Sequence, residues 1–205
     1  LVGSEMCIRD RAYSQTLSTG NQVASAGAVG DTSVTVDDVD LADNVISVGD
    51  IIQFSSTADG TDFDDGEFYR GTAINTGTNV VTIVQHPRGS GGLKRVVADN
   101  SRIKRRWRYY DAVDGGAPGT SKFVSDRSGS GDEIHIVIVD EDGGITGVPG
   151  QILESFSKLS KAADAKTPQG DNNYYPDVIY NKSQYIYWMD HNTSGTNWGN
   201  AASGT

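Results

Sequence analysis

The chain has 205 residues and a formal net charge of -10, with 36% hydrophobic and 8% aromatic residues. Its length allows one sizeable domain or two small ones around a real core. The acidic balance argues against nucleic acid as a general partner, because phosphate repels such a surface. The single Cys7 excludes an internal disulfide framework, and no apolar run reaches the roughly 18–20 residues of a membrane span.

The first 27 residues contain no clear secondary structure. Residues 1–11 lack an initiator Met and fit neither a signal peptide nor an amphipathic helix. They are similar to translated sequencing-adaptor strings, so we expect them to be non-native and the chain to be an excerpt, incomplete at both ends. Residues 12–27 are dominated by Ser, Thr, Gly, Ala and Gln, which predicts a linker with weak strand potential.

Residues 28–100 predict a small all-β module that is barrel-like. Stretches rich in β-branched and aromatic residues alternate here with Gly, Asp and Asn turns, as short strands do. The predicted strands are residues 32–36, 48–54, 67–74 and 80–84.

The segment from His86 to Arg108 is strongly basic, with eight Lys or Arg residues and one acid, Asp99. The remainder holds nine basic and 26 acidic residues, so the charge is segregated along the chain. The run at 102–108, with Trp107 inside it, has three interpretations: a nucleic-acid patch, a solvated strand face, or a charged protein contact. Because the rest of the chain is acidic, we favour a protein contact between copies.

Residues 101–205 predict a partial mixed α/β domain, which makes the overall class α+β. Residues 133–140 are β-branched and apolar on both faces for most of their length, which predicts a central strand. Residues 184–189 predict a return to strand.

Two helices are predicted in the same domain. One covers 151–160 behind Pro149, because its apolar residues fall at helical spacing. Its buried stripe would be Ile152, Leu153, Phe156 and Leu159. The other is a short helix over 174–181 that opens at Pro176.

Carboxylates form two groups with superficial resemblance to sites. The first lies around two glycines, but its spacing does not fit a calcium loop, so we interpret it as a solvated turn. Its members are Asp59, Asp62, Asp64, Asp65 and Glu67. The second, Asp140 to Asp142, follows a predicted strand without a nearby phosphate-binding loop, and a capped turn is the favoured interpretation.

Histidine and serine give no catalytic pattern. His86, His135 and His191 are far apart and lack metal-ligand spacing, and Ser130 lies outside any nucleophile-elbow motif. A Ser-His-Asp assembly of scattered residues is defined by geometry and stays open at this point. We therefore predict no catalytic, metal or cofactor-binding residues and no cofactor.

An ordered series of short motifs resembles the tail sheath proteins of contractile-tailed, T-even-like bacteriophages. It opens with Trp-Arg-Tyr-Tyr-Asp and continues with Gly-Ala-Pro-Gly-Thr-Ser, and together the pieces cover about 80 residues in family order. The matching segments are residues 107–111, 116–121, 132–143, 146–150, 152–154, 160–166 and 173–179.

The resemblance implies a structural subunit and not an enzyme. Subunits of this family form six-membered rings that stack around the tail tube, and baseplate triggering makes the sheath shorten and drive the tube through the host envelope. The implied partners are other sheath subunits, the tail tube and the baseplate, with no nucleic acid. The implied location is the virion tail, after assembly in the host cytoplasm.

This chain departs from the family because it lacks the terminal arms that link neighbouring subunits by added strands. We therefore expect these 205 residues not to form regular tubes by themselves. Three alternatives stay open. They are a sheath of a phage-like contractile injection system, a β-rich carbohydrate-binding or adhesion module that uses Tyr185, Trp188 and Trp198, and a hydrolase that uses Asp140.

Overall fold

The computed structural model describes residues 13–41, 45–63, 67–189 and 198–205. The chain divides into two compact units, the first ending at Arg108 and the second beginning at Tyr109. The boundary predicted from the sequence lay after residue 100. The regular structure of the first unit is strands, whereas the second combines two strands with short helices. No helix in the described ranges is long and apolar enough to cross a membrane.

The first unit contains a six-stranded antiparallel sheet with the order β1-β6-β3-β4-β5-β2. The four strands predicted from period-two alternation are confirmed as β2 to β5, with shifts at their ends. The strand bounds are β1 Ser14–Thr16, β2 Ser33–Thr35, β3 Ile51–Ala58, β4 Phe68–Asn75, β5 Val80–His86 and β6 Ser101–Arg106.

Within residues 12–27, predicted as a linker with weak strand potential, residues 14–16 form a strand of this sheet and Val23 and Gly27 form isolated bridges. β1 pairs with β6, and the following residues run between the two ends of the strand order. Val23 forms a bridge with Val36 and donates its N–H to the Ser101 carbonyl at 3.0 Å. Leu17 and Val23 are fully buried. These hydrogen bonds connect the β2 side of the sheet to the β6 side, so the sheet curves towards closure.

The core of the first unit lies on the inner face of this sheet. It is one continuous cluster of aliphatic side chains together with Phe54 and Tyr69. The Tyr69 hydroxyl accepts a hydrogen bond from the Lys94 N–H at 3.0 Å, so its polar end is satisfied inside the core. Burying one aliphatic side chain of this kind contributes about 1.5–3 kcal/mol.

The second unit is a two-stranded antiparallel sheet with short helices. Helix α2 confirms the helix predicted at Pro176, whereas the described residues 184–189 contain no strand, so that prediction is wrong. Because the helices in the described residues are few and short, the α+β class applies only loosely to this mostly β chain. The bounds are α1 Lys122–Ser125, β7 Glu133–Asp140, β8 Gln151–Ser160, α2 Tyr175–Lys182 and a short 3₁₀ helix Ala202–Gly204.

The helix predicted over 151–160 is wrong, because these residues form β8. The β7–β8 register shifts twice, and both times β8 contributes an extra residue. Ile134 and Ile136 pair with Leu159 and Phe156, so residues three apart on β8 share a face. Bulges thus produce the spacing that imitates a helix, and Lys158 takes a positive φ of 53° at one of them.

β7 is not the central strand that was predicted. It has one partner strand, and most of its side chains are half-buried. The second unit accordingly has two small apolar clusters. One packs β8 against α2, and the other joins α1 to the 3₁₀ helix.

Candidate functional site

The basic run at the end of the first unit forms β6, and its side chains alternate between the two faces of the sheet. Ser101, Ile103 and Arg105 are buried, whereas Arg102 and the other alternate residues are half-buried. Because successive side chains of a strand point to opposite faces, the positive charge divides into an inner and an outer part.

Arg105 is the inner part, and it has a structural role. Its Nη1 lies 3.7 Å from Oδ2 of the buried Asp50 and donates to the Val45 carbonyl at 2.9 Å. Its Nη2 donates to Gln15 Oε1 at 3.0 Å. Asp50 Oδ2 also accepts the Ser47 N–H at 2.8 Å. A buried ion pair of this kind is tolerated because further hydrogen bonds reach both Nη atoms of the arginine and the carboxylate.

The outer part is a surface that we call the basic face, made of Arg102, Lys104 and Arg106 on β6 with Arg70 on β4. Arg106 and Arg70 share the face because both pair with Ile51, which lies between them on β3. Neighbouring strands are about 4.8 Å apart, which places these two Cα atoms roughly 10 Å from each other.

Two of the four cations of the basic face lie over phenylalanine rings. The Arg106 guanidinium lies 4.5 Å from the centroid of Phe68, and Lys104 Nζ lies 5.6 Å from that of Phe63. Cation–π contacts at such half-buried positions contribute about 0.5–2 kcal/mol each. The rings therefore limit the freedom of both side chains while the charges stay at the surface.

The described carboxylates of the acidic turn near residue 60 do not converge on a common point, because they have separate partners. Asp59 accepts from Gln22 Nε2 at 2.7 Å, and Glu67 forms an ion pair with Arg95 at 2.7 Å. Asp62 uses its carbonyl to accept the Ser56 N–H at 2.9 Å. Asp64 and Asp65 lie outside the described residues. Among the residues that are described, no group of three or more His, Cys, Asp or Glu could hold a metal ion.

Asp140 organises the loop that joins β7 to β8, residues 141–150, which we call the hairpin tip. Its carboxylate accepts the Thr146 N–H and hydroxyl, each at 2.7 Å, and the Ile145 N–H at 3.1 Å. The backbone N–H of Thr146 is the main reason that the pKa of Asp140 lies below its usual range, and partial burial opposes this effect. These contacts match the predicted capped turn.

The histidines lie in separate places. His135 accepts the Lys158 N–H at Nδ1, 3.1 Å away, and its Nε2 lies 2.8 Å from the Gly116 carbonyl. His86 Nδ1 lies 3.5 Å from Arg70 Nη2 in the first unit. His191 lies outside the described residues. Ser130 sits in a turn after α1, where its N–H donates to the Thr205 carbonyl.

Three aromatic residues of the second unit, Tyr174, Trp188 and Trp198, contact the ring of Tyr175. Trp188 Nε1 donates to the Tyr175 hydroxyl at 3.0 Å, and the Trp198 ring meets the Tyr175 ring edge-on at 5.2 Å. Burial raises the pKa of the adjacent Tyr174, and the charge of Asp177 adds to this. Tyr185 remains 42% exposed, so a sugar platform would be limited to the outer edge of the cluster.

Sequence reasoning missed two features of these sites. The first is the pairing of Phe63 and Phe68 with cations from a distant strand, which only the sheet register brings together. The second is Asp132, a fully buried carboxylate that accepts the Ser121 N–H at 2.7 Å and the Ser160 hydroxyl at 2.5 Å. Its position one residue before a predicted strand was the one available signal.

Comparison with known proteins gives no assignment, since neither a protein-family model nor any curated protein matches the chain. The candidate site therefore rests on its own geometry. That geometry is a charged surface on the first unit and an ordered, exposed loop on the second.

Proposed function

We propose that the chain is a structural subunit of a contractile phage tail sheath, which surrounds the tail tube and drives it through the host envelope on contraction. Its partners are other sheath subunits, the tail tube and the baseplate, and its location is the virion tail. The proposal starts from the ordered motifs between residues 107 and 179 that resemble this family.

The basic face is the observation that carries the proposal. Four cations lie on one sheet face of a chain whose net charge is -10, and aromatic rings restrain two of them. A restrained charge on a rigid sheet favours a protein partner of opposite charge, because little side-chain entropy is lost on contact. A subunit that binds copies of itself needs such a surface.

The placement of the matched motifs gives further support. Residues 132–143 include β7, residues 146–150 fall in the hairpin tip, and residues 173–179 include the start of α2. All of these belong to the second unit. The partial sheath-type domain proposed for residues 101–205 would therefore begin at Tyr109, after the last strand of the first unit.

A role without catalysis fits how the polar groups are used. The Asp140 carboxylate accepts three hydrogen bonds within its own loop, and both nitrogens of His135 face backbone groups. Groups committed to loop geometry are poor candidates for a general base, which must reach a substrate proton. The hydrolase alternative at Asp140 is therefore the weakest.

The test is to express the complete reading frame that contains these residues together with the adjacent tail tube gene, and to image the product by negative-stain electron microscopy. We expect tubes of stacked six-membered rings around a central tube. A monodisperse product that leaves the tube protein bare would refute the proposal. A sheath from a contractile injection system would give the same tubes, and the presence or absence of capsid genes nearby separates the two.

A carbohydrate-binding or adhesion module is the second candidate, and the exposed edge of the aromatic cluster favours it. Tyr185 is 42% and Trp188 38% exposed, and sugars stack on such rings. Glycan-array binding that is lost in Tyr185→Ala, combined with no binding to the tube protein, would support this candidate over the sheath.

A further inference from the structure

The hairpin tip is an acidic and apolar projection. It contains Glu141 and Asp142 and no Lys or Arg. Ile145 is 57% and Val148 55% exposed, although the loop is ordered by Asp140. Exposed aliphatic side chains on an ordered loop next to carboxylates are typical of a contact surface.

The basic face is suited to carboxylates and poorly suited to nucleic-acid bases. Lys104 lies over the Phe63 ring and Arg106 over the Phe68 ring, so a cation already occupies one face of each aromatic. Bases bind single-strand sites mainly by stacking on open rings. A guanidinium held flat on a ring still presents its N–H edge, which is the edge that a carboxylate accepts from.

We propose that the basic face of one copy binds the hairpin tip of a second copy. This inference deepens the proposed sheath function and rests on it for its partner. The charges are complementary: four cations on one surface meet Glu141 and Asp142 on the other. The exposed Ile145 and Val148 would add apolar contact beside the rings of Phe63 and Phe68.

Such a contact joins two different surfaces of identical chains, so each copy keeps one basic face and one tip available for further copies. A head-to-tail interface of this type closes into a ring or extends into a filament, according to the rotation between neighbouring copies. A growing polymer needs this property.

A charge-swap experiment on the full chain tests the proposal. Lys104→Glu makes the face less basic, and Glu141→Lys removes the net negative charge of the tip. Sedimentation velocity at low salt should show each variant alone self-associating about tenfold more weakly than wild type. An equimolar mixture of the two variants should recover association, because the wild-type face of the Glu141→Lys copy then meets the wild-type tip of the Lys104→Glu copy.

Matched variants control for the effect of net charge alone. Arg88→Glu and Asp171→Lys change the net charge equally at exposed positions outside the two surfaces, and they should leave association unchanged. Arg70→Glu provides a second face variant that removes no ring contact, and far-UV circular dichroism checks folding. Equal weakening by the matched controls, or no recovery in the mixture, would overturn the proposal.

Two further outcomes are informative. If Lys104→Glu instead abolishes binding of a fluorescent single-stranded oligonucleotide while self-association is unaffected, the face is a nucleic-acid site and the proposal is wrong. The two experiments also distinguish an error in the proposed contact from an error in the proposed sheath function. Association controlled by charge swap without tubes in the co-expression experiment refutes the sheath, whereas tubes that form equally well with both variants refute this contact.

Discussion

The two units of the chain differ in how completely each one buries its own apolar surface. The first has a single large cluster inside a six-stranded sheet, whereas the second has two small clusters around a two-stranded sheet. Of the large hydrophobic side chains that are exposed in the described residues, most belong to the second unit, and Met189 is 90% exposed.

This difference separates two tasks. A unit with a continuous core gains its stability internally, whereas a unit that leaves aliphatic and aromatic side chains in solvent has surface available for partners. The first unit nevertheless presents one charged surface, the basic face, for which we propose a contact. The following measurements test whether stability and contact are divided in this way.

The largest expected effect comes from Asp50→Ala in the first unit. The change leaves the buried Arg105 without its carboxylate, and breaking a buried pair from one side costs about 3–5 kcal/mol. Urea unfolding followed by circular dichroism should show a much lower midpoint. The exposed Arg88→Ala should stay within about 0.5 kcal/mol of wild type, and similar stability of both variants would contradict the assigned role of the pair.

Ile103→Ala should come next, with a loss of about 3 kcal/mol in the free energy of unfolding. The side chain is fully buried in the large cluster, and its removal leaves a cavity that the sheet cannot close. Hydrogen exchange of amides in β3 and β5 should accelerate together. Acceleration restricted to β6 would show that the first unit does not unfold as one cooperative body.

Leu159→Ala should cost less, about 2 kcal/mol, at the lower end of the range for such truncations. Its cluster includes half-buried neighbours such as Phe156, which can relax into the space. Amide exchange in β8 is the measurement, and β4 amides in the same sample serve as the reference. A loss larger than that of Ile103→Ala would reverse the ranking of the two units.

The smallest effect concerns Asp140 and pH. Its pKa is lowered in the folded state, so its contribution is complete above the unfolded value of about 3.9 and is lost as pH falls through the lower folded value. The Thr146 amide resonance should therefore shift below pH 3.9, while Asp140→Asn should show no such step. A midpoint above 3.9 would contradict the role of the Thr146 hydrogen bonds.

Period-two alternation was sufficient to predict four strands of the first unit. Alternation did not settle the interpretation of the basic run that forms β6, because Arg105 occupies an inner position that would ordinarily be apolar. The Arg105 charge is satisfied by Asp50, Val45 and Gln15. Those partners are distant in sequence. No local pattern could have revealed the inner and outer division of the basic run.

The helix prediction over residues 151–160, which form β8, was wrong for a different reason. Two extra residues on one strand change the local period from two to three, and the spacing of Leu153, Phe156 and Leu159 then satisfies a helical template. Only the partner strand shows which of the two structures is formed. The capped turn at Asp140 was predicted correctly because its donors, Ile145 and Thr146, lie within six residues.

The way residues 14–24 complete the first sheet affects how the protein is made. Gln15 and Arg105, which meet at the edge of that sheet, are 90 positions apart. At about 5–20 residues per second, a ribosome needs roughly 5 to 18 s to synthesise the intervening chain. During that interval Leu17 and Val23 have no β6 to cover them, so the nascent chain exposes apolar surface to chaperones and to neighbouring nascent chains. Slow closure by such distant strands is the expected rate-limiting step of folding.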